Sequence, residues 1–176
     1  MKQILGEHLR TSNFEGNWHQ VWCEEVVRIF APIKSHKGAD AFTYGNAQKW
    51  VNMTLKNLYI VALVFQSINA SASRDWCKVV ITNANSFHIP IDTYILEAAF
   101  SEFETMQSRI KVRGRKEREY RILADGVEYC WSNFPDYQTY FAFQNALLDA
   151  VKAKYAQSPL DWENGAWIAV AQNRNQ

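Results

Sequence analysis

Cysteine, proline and glycine are all scarce in this chain. Its 176 residues hold three Cys, four Pro and seven Gly, too few turn and breaker residues for a collagen-like, linker-dominated or disordered polypeptide. Cys23, Cys77 and Cys130 are odd in number, widely spaced and without a Cys-x-x-Cys pair. They argue for buried reduced thiols rather than a disulfide framework, and with four scattered histidines a zinc site has little to build on. An excess of one charge is lacking too. Nineteen Lys and Arg face 18 Asp and Glu, for a net charge of +1 and a pI near 7.7, so a nucleic-acid, membrane or acidic partner must be met by a local patch. The longest apolar-rich stretch, 55–65, is interrupted by Lys56 and Asn57 and falls short of the roughly 20 residues that span a bilayer. No membrane partner is expected. The opening residues carry Glu7 and His8 where a secretory signal has its apolar core, which predicts a cytoplasmic protein.

What the chain does have is 48% hydrophobic and 14% aromatic residues, enough for one compact domain over 1–176. Trp18, Val21, Trp22, Val26, Ile29 and Phe30 follow a helical period that Pro32 closes. A second, central helix over 46–65 carries Val51, Leu55, Leu58, Ala62 and Phe65 at alternating spacings of four and three. Ile60, Val61, Leu63 and Val64 make it apolar on nearly every side, the pattern of a buried helix. Residues 67–87 read as a loop or insertion, with 77–82 either a short strand or a turn of helix. Pro90 and Asp92 predict an extended entry and an N-cap for a third helix. Residues 109–121 are dense in charge, with a turn expected at Asp125-Gly126. A long helix over 137–157 is capped by Asp136 and stopped by Pro159, and a short one over 162–172 packs Trp162 and Trp167 back onto it. The fold class is mainly α, a single-domain helical bundle.

The most specific feature is Tyr44-Gly45-Asn46-Ala47-Gln48-Lys49 running into the central helix, followed by His88-Ile89-Pro90-Ile91-Asp92 running into the next. A glycine turn presents a lysine at one helix start, and an apolar arm delivers an aspartate to another. In this the chain resembles the helix-hairpin-helix superfamily of DNA glycosylases. Gly45-Asn46-Ala47-Gln48-Lys49 looks like the family's Gly-x-Gly-x-Lys hairpin and Ile89-Pro90-Ile91-Asp92 like its Val-Pro-Val-Asp. Lys56, seven residues after Lys49, is similar to the archaeal branch that acts on oxidised guanine. The resemblance implies a helix-hairpin-helix fold and base excision, plausibly with strand-cleaving lyase activity. Lys49 would be the nucleophile and Asp92 its carboxylate partner, while Gly45, Asn46, Gln48 and Lys56 would lie against DNA. No metal or cofactor is needed for that chemistry.

Each of these residues also has a plain role open to it. Lys49 and Lys56 suit solvated helix positions, Asp92 a simple N-cap, and His88 a structural donor. Asn52, on the lysine side of the helix, suits orientation of a substrate. Residues 109–121 concentrate seven of the 19 basic residues, among them Arg113, Arg115, Lys116 and Arg118. They suit either a phosphate-tracking strip or a solvated face with internal Glu117 and Glu119 pairs. Trp18, Trp22, Trp162 and Trp167 fall on helical stripes as core, whereas Trp50 and Trp131 are placed to stack on a flipped base. The competing function is non-enzymatic, a helical protein of a phage, mobile element or defence system that binds nucleic acid or protein. DNA and a second copy of the chain are the partners left open.

Overall fold

A computed structural model of the protein describes residues 14, 16–33, 42–68, 75–113 and 119–174. Among these are seven α-helices and a small three-stranded sheet. Helix α1 (Trp18–Phe30) buries Trp18, His19, Trp22, Cys23 and Val26, the stripe that its periodicity predicts. Helix α2 (Tyr44–Ser67) starts two residues earlier than expected, because the Thr43 side chain accepts from the Asn46 N–H at 3.3 Å and caps it there. Helix α3 (Asp75–Thr82) and a 3-10 turn at Ala84–Ser86 replace most of the loop expected over 67–87. Cys77, Val80 and Ala84 fall at helical spacing and bury one side of a segment too short for the pattern to declare itself. Residues 69–74 lie outside the described chain.

After an extended arm, α4 (Thr93–Glu102) and the single turn α5 (Glu104–Gln107) lead into antiparallel strands β1 (Ile110–Arg113), β2 (Glu119–Ala124) and β3 (Val127–Tyr129). Ile110 faces Ile122 and Arg113 faces Glu119, while Ala124 faces Val127. The expected Asp125-Gly126 turn is present, with φ of 50° and 77°, as a two-residue hairpin turn requires. The described parts of the charge-dense segment, 109–113 and 119–121, thus lie largely in two paired strands. Ile110, Tyr120 and Ile122 are buried, and the alternating positions Lys111, Arg113, Glu119 and Arg121 face outward.

Helix α6 (Tyr137–Lys154) is capped by Asp136, whose carboxylate accepts from the Thr139 N–H at 2.8 Å. It ends earlier than predicted, and Pro159 opens α7 (Pro159–Arg174) rather than stopping α6. A proline in the first turn of a helix lacks only an N–H that would be unpaired anyway. Helix α7 packs chiefly along α4, not α6. Trp162 is buried against Phe103, but Trp167 is 39% exposed, stacked on Tyr94 with centroids 5.0 Å apart.

The apolar interior has two parts. One gathers α1, the inner side of α2, α3, Phe87 and Leu160. The other gathers the arm, α4, the sheet, α6 and the later part of α7. No described helix is long and apolar enough to cross a membrane.

Candidate active site

The arm 88–91 is extended but pairs with no strand among the described residues, so its backbone groups need other partners. Side-chain amides supply them. Gln48 Nε2 donates to the Ile91 carbonyl at 3.2 Å, and Asn52 Nδ2 donates to the Ile89 carbonyl at 3.2 Å. Gln144, with its nitrogen turned toward the same carbonyl at 3.2 Å, accepts from the Ile89 N–H at 2.7 Å. All three amides are fully buried. They seat the arm between α2 and α6, with Ile89 and Ile91 sunk into the second core.

Asn52 is also the hub of a polar network. Its Oδ1 accepts from His19 Nε2 at 2.8 Å, and its Nδ2 reaches Tyr140 Oη at 3.0 Å and Gln48 Oε1 at 3.1 Å. Tyr140 Oη lies 2.8 Å from His88 Nδ1, and the His19 and His88 rings lie 3.9 Å apart. Burial holds both imidazoles in the neutral form. It lowers His19 to about 4 against a partial pull upward from the Asn52 bond, and it lowers His88 well below the ordinary range, helped by His19. Burial likewise pushes the Cys23 thiol up to about 12, an inert core cysteine.

The arm ends where α2 and α4 meet. Asp92 caps α4 through Oδ1, which accepts from the Ile95 N–H at 3.0 Å. Its Oδ2 accepts from Lys49 Nζ at 2.6 Å and from Trp167 Nε1 at 3.3 Å. Lys49 and Asp92, 43 positions apart in sequence, therefore form one ion pair whose side chains are 22% and 13% exposed. Further along the same side of α2, Lys56 Nζ lies 2.5 Å from Glu163 Oε2, with side chains 11% and 1% exposed. Burial raises the Glu163 carboxyl above its ordinary range, and the Lys56 ammonium beside it pulls it back.

The other predicted residues divide sharply. Gln48 and Lys56 are buried and spent on the arm and on Glu163, which corrects their expected place against DNA. Asn52 is likewise structural rather than substrate-facing. Gly45 lies inside the first turn of α2, not in a separate turn. A Cβ there would collide with the Trp131 carbonyl oxygen and the Ser132 backbone, so protein backbone occupies the approach expected for a phosphate. Asn46 is half-buried beside it. Trp50 is 49% exposed and leans edge-on against Phe30 and Phe42, while Trp131 is half-buried against the second core. Arg113 is exposed but held by Glu128 at 2.5 Å, as is Lys111 at 2.5 Å. Arg115, Lys116, Arg118 and the opening residues 1–13 lie outside the described chain. A cavity of about 750 Å³ between the sheet and α6, lined by Ser108, Arg109, Asp136 and Thr139 among others, includes none of the expected site residues.

Gln144, Tyr140, Glu163 and Trp167 join the site without having been expected there. Buried amides at 48 and 52, one turn apart on α2, were a usable signal, since an amide on the buried side of a helix needs a partner. No family model, no curated protein and no solved structure matches the chain.

Proposed function

We propose that the protein is a DNA base-excision glycosylase with lyase activity, in which Lys49 is the nucleophile and Asp92 its carboxylate partner. The observation that carries this is the 2.6 Å contact between Lys49 Nζ and Asp92 Oδ2 at the mouth of α4. A protein that merely bound its partner would need no such convergence of an amine and a carboxylate from distant parts of the chain. A nucleotide turned out of the duplex would present its C1′ atom to the pair. Asp92, already hydrogen-bonded to the ammonium, is the acceptor for the proton that Lys49 must lose before attack. The amine then forms a bond to C1′ as the glycosidic bond breaks, and the proton on Asp92 passes to the departing base, which restores the carboxylate opposite the positive charge on the sugar. Transfer of a proton from the nitrogen to O4′ as the C1′–O4′ bond opens gives the Schiff base, which permits elimination of the neighbouring strand phosphate. Partly exposed Trp167, donating to Asp92, supplies aromatic surface beside the pair.

The test is borohydride trapping on duplexes carrying an abasic site or oxidised guanine, read as a covalent band on a denaturing gel. Wild-type protein should give the band. Lys49→Gln should abolish it while leaving the fold and most DNA affinity in place. A band that persists in Lys49→Gln removes Lys49 from the mechanism.

One observation favours a second reading, a non-enzymatic binding protein. Ile60, Val61, Val64, Phe65 and Ile68 at the end of α2 are 40–64% exposed, an apolar surface of the kind that protein partners cover. Absence of trapping on every duplex, together with a partner captured through this surface, would favour it.

A further inference from the structure

We propose that Trp167 is a positioning residue for Asp92, its indole N–H keeping the carboxylate in place while Lys49 gives up its own hold to attack; this rests on reading Lys49 as the nucleophile. Among the described residues three donors hold that carboxylate. Oδ1 accepts from the Ile95 N–H at 3.0 Å, and Oδ2 accepts from Lys49 Nζ at 2.6 Å and from Trp167 Nε1 at 3.3 Å. The reaction takes one of them away. As the Lys49 nitrogen passes its proton to Asp92 and bonds to C1′, its hold on Oδ2 is spent, and Asp92 has yet to deliver that proton to the departing base. A carboxyl group tied only through Oδ1 is free to turn about its terminal bond, whose torsional preference is broad. The second tie has to come from a group that the chemistry leaves untouched. An indole is a donor with no acceptor, so it cannot take the proton in transit.

The indole can serve because its own position is fixed by a ladder of contacts between α4 and α7, which pack along each other. Trp167 stacks on Tyr94 with ring centroids 5.0 Å apart and planes at 28°. Two turns further along the same side of α7, the Arg174 guanidinium lies 4.7 Å from the centre of the same Tyr94 ring, a cation–π contact. Arg174 is held in turn, its Nε donating at 2.9 Å to Glu97, whose side chain is 7% exposed. Asp92, Tyr94 and Glu97 at one helix thus meet Trp167 and Arg174 on the other. Stacking fixes the plane of the indole, and the N–H in that plane donates to Oδ2. Trp167 belongs to neither core, so a substitution there probes the hydrogen bond rather than the packing of the interior.

The experiment separates the hold on Asp92 from the fate of DNA. Trp167→Phe keeps a ring for Tyr94 and removes the N–H. Amide hydrogen exchange, followed by NMR without DNA, reads the Ile95 N–H, whose partner is Asp92 Oδ1. The Thr139 N–H, capped by Asp136 at 2.8 Å on α6, is the internal reference. In Trp167→Phe, exchange at Ile95 should rise about five-fold, the worth of one such hydrogen bond, with Thr139 unmoved. Exchange that rises equally at both amides is general loosening, and exchange that rises at neither means that the indole holds nothing; either result overturns the proposal. On a duplex carrying oxidised guanine, single-turnover borohydride trapping by Trp167→Phe should slow at least about ten-fold while the dissociation constant stays within about two-fold of wild type. A weakened affinity with an unchanged rate would make the indole a DNA contact instead and overturns the positioning role. If the wild-type protein traps nothing, the glycosylase reading falls by itself, while the exchange measurement still decides for or against the hold on Asp92.

Discussion

The two halves of helix α2 reverse the usual relation between polarity and burial. Its first half buries Gln48, Asn52 and Lys56, while its second half exposes Ile60, Val61, Val64 and Phe65. Buried polar groups persist only where each finds a partner, and the first half meets the arm, the histidines and Glu163. The second half meets α3 along Tyr59 and Ala62 and leaves its outer side open. A polar residue buried in one helix and an apolar one exposed in the same helix are thus two signs of one division. The first half is built around a buried polar network, and the second half presents an apolar surface.

That division can be broken most forcibly at its polar end. Asn52→Ala removes donors and acceptors from Ile89, Tyr140, His19 and Gln48 at once. It should cost about 3–4 kcal/mol, read as a shifted midpoint in urea unfolding, and a cost below about 1 kcal/mol would mean that the network is dispensable. Acid should act on the same network more gradually. His19 titrates at about 4 in the folded chain against an ordinary 6.5, so below pH 6.5 the unfolded chain takes up a proton that the native state refuses. Stability is therefore complete above about pH 6.5 and falls as pH drops toward 4, by up to about 3 kcal/mol from His19 alone. Unfolding curves between pH 7 and 5 should show the fall, and His19→Gln should flatten it. A wild-type stability flat over this window would contradict the buried neutral pair. The smallest effect belongs to the apolar end. Ile60→Ser with Val64→Ser should change stability by no more than about 0.5 kcal/mol per site, read as the midpoint of urea unfolding. A large loss of stability there would show that the face is core after all.

The contrast also explains how far the sequence could be read. Mainly helical architecture, the caps at Asp92 and Asp136 and the Asp125-Gly126 turn follow from local rules, because each depends on backbone groups within a few residues. The meeting of Lys49 with Asp92 was expected from motif resemblance, and the two residues do converge. The rest of the site depends on tertiary partners that no local pattern names. Lys56 reads as a surface lysine until Glu163 is brought to it by a helix more than a hundred positions later. Gln48 reads as a polar first-turn residue until the arm passes beneath it. The apolar run from Leu58 to Phe65 reads as buried because periodicity measures composition around a helix, not whether a neighbour is there to cover it. Trp167 was mistaken for core on the same ground. The small sheet was missed because its strands carry alternate charges that resemble a solvated helix face as closely as a hairpin.

Helix α7 gives Leu160 to one core, Trp162 and Val170 to the other, Glu163 to Lys56, and Trp167 to Asp92. In a chain made from the N-terminus onward, every one of those contributions arrives after the other described elements. During synthesis Lys49 and Asp92 emerge early and can meet, yet Asp92 lacks its indole donor, Lys56 stands without its counter-charge, and the two cores remain unstitched until residues 159–174 have left the ribosome. The joining of the two cores and the pairing of the buried Lys56 charge are thereby one event.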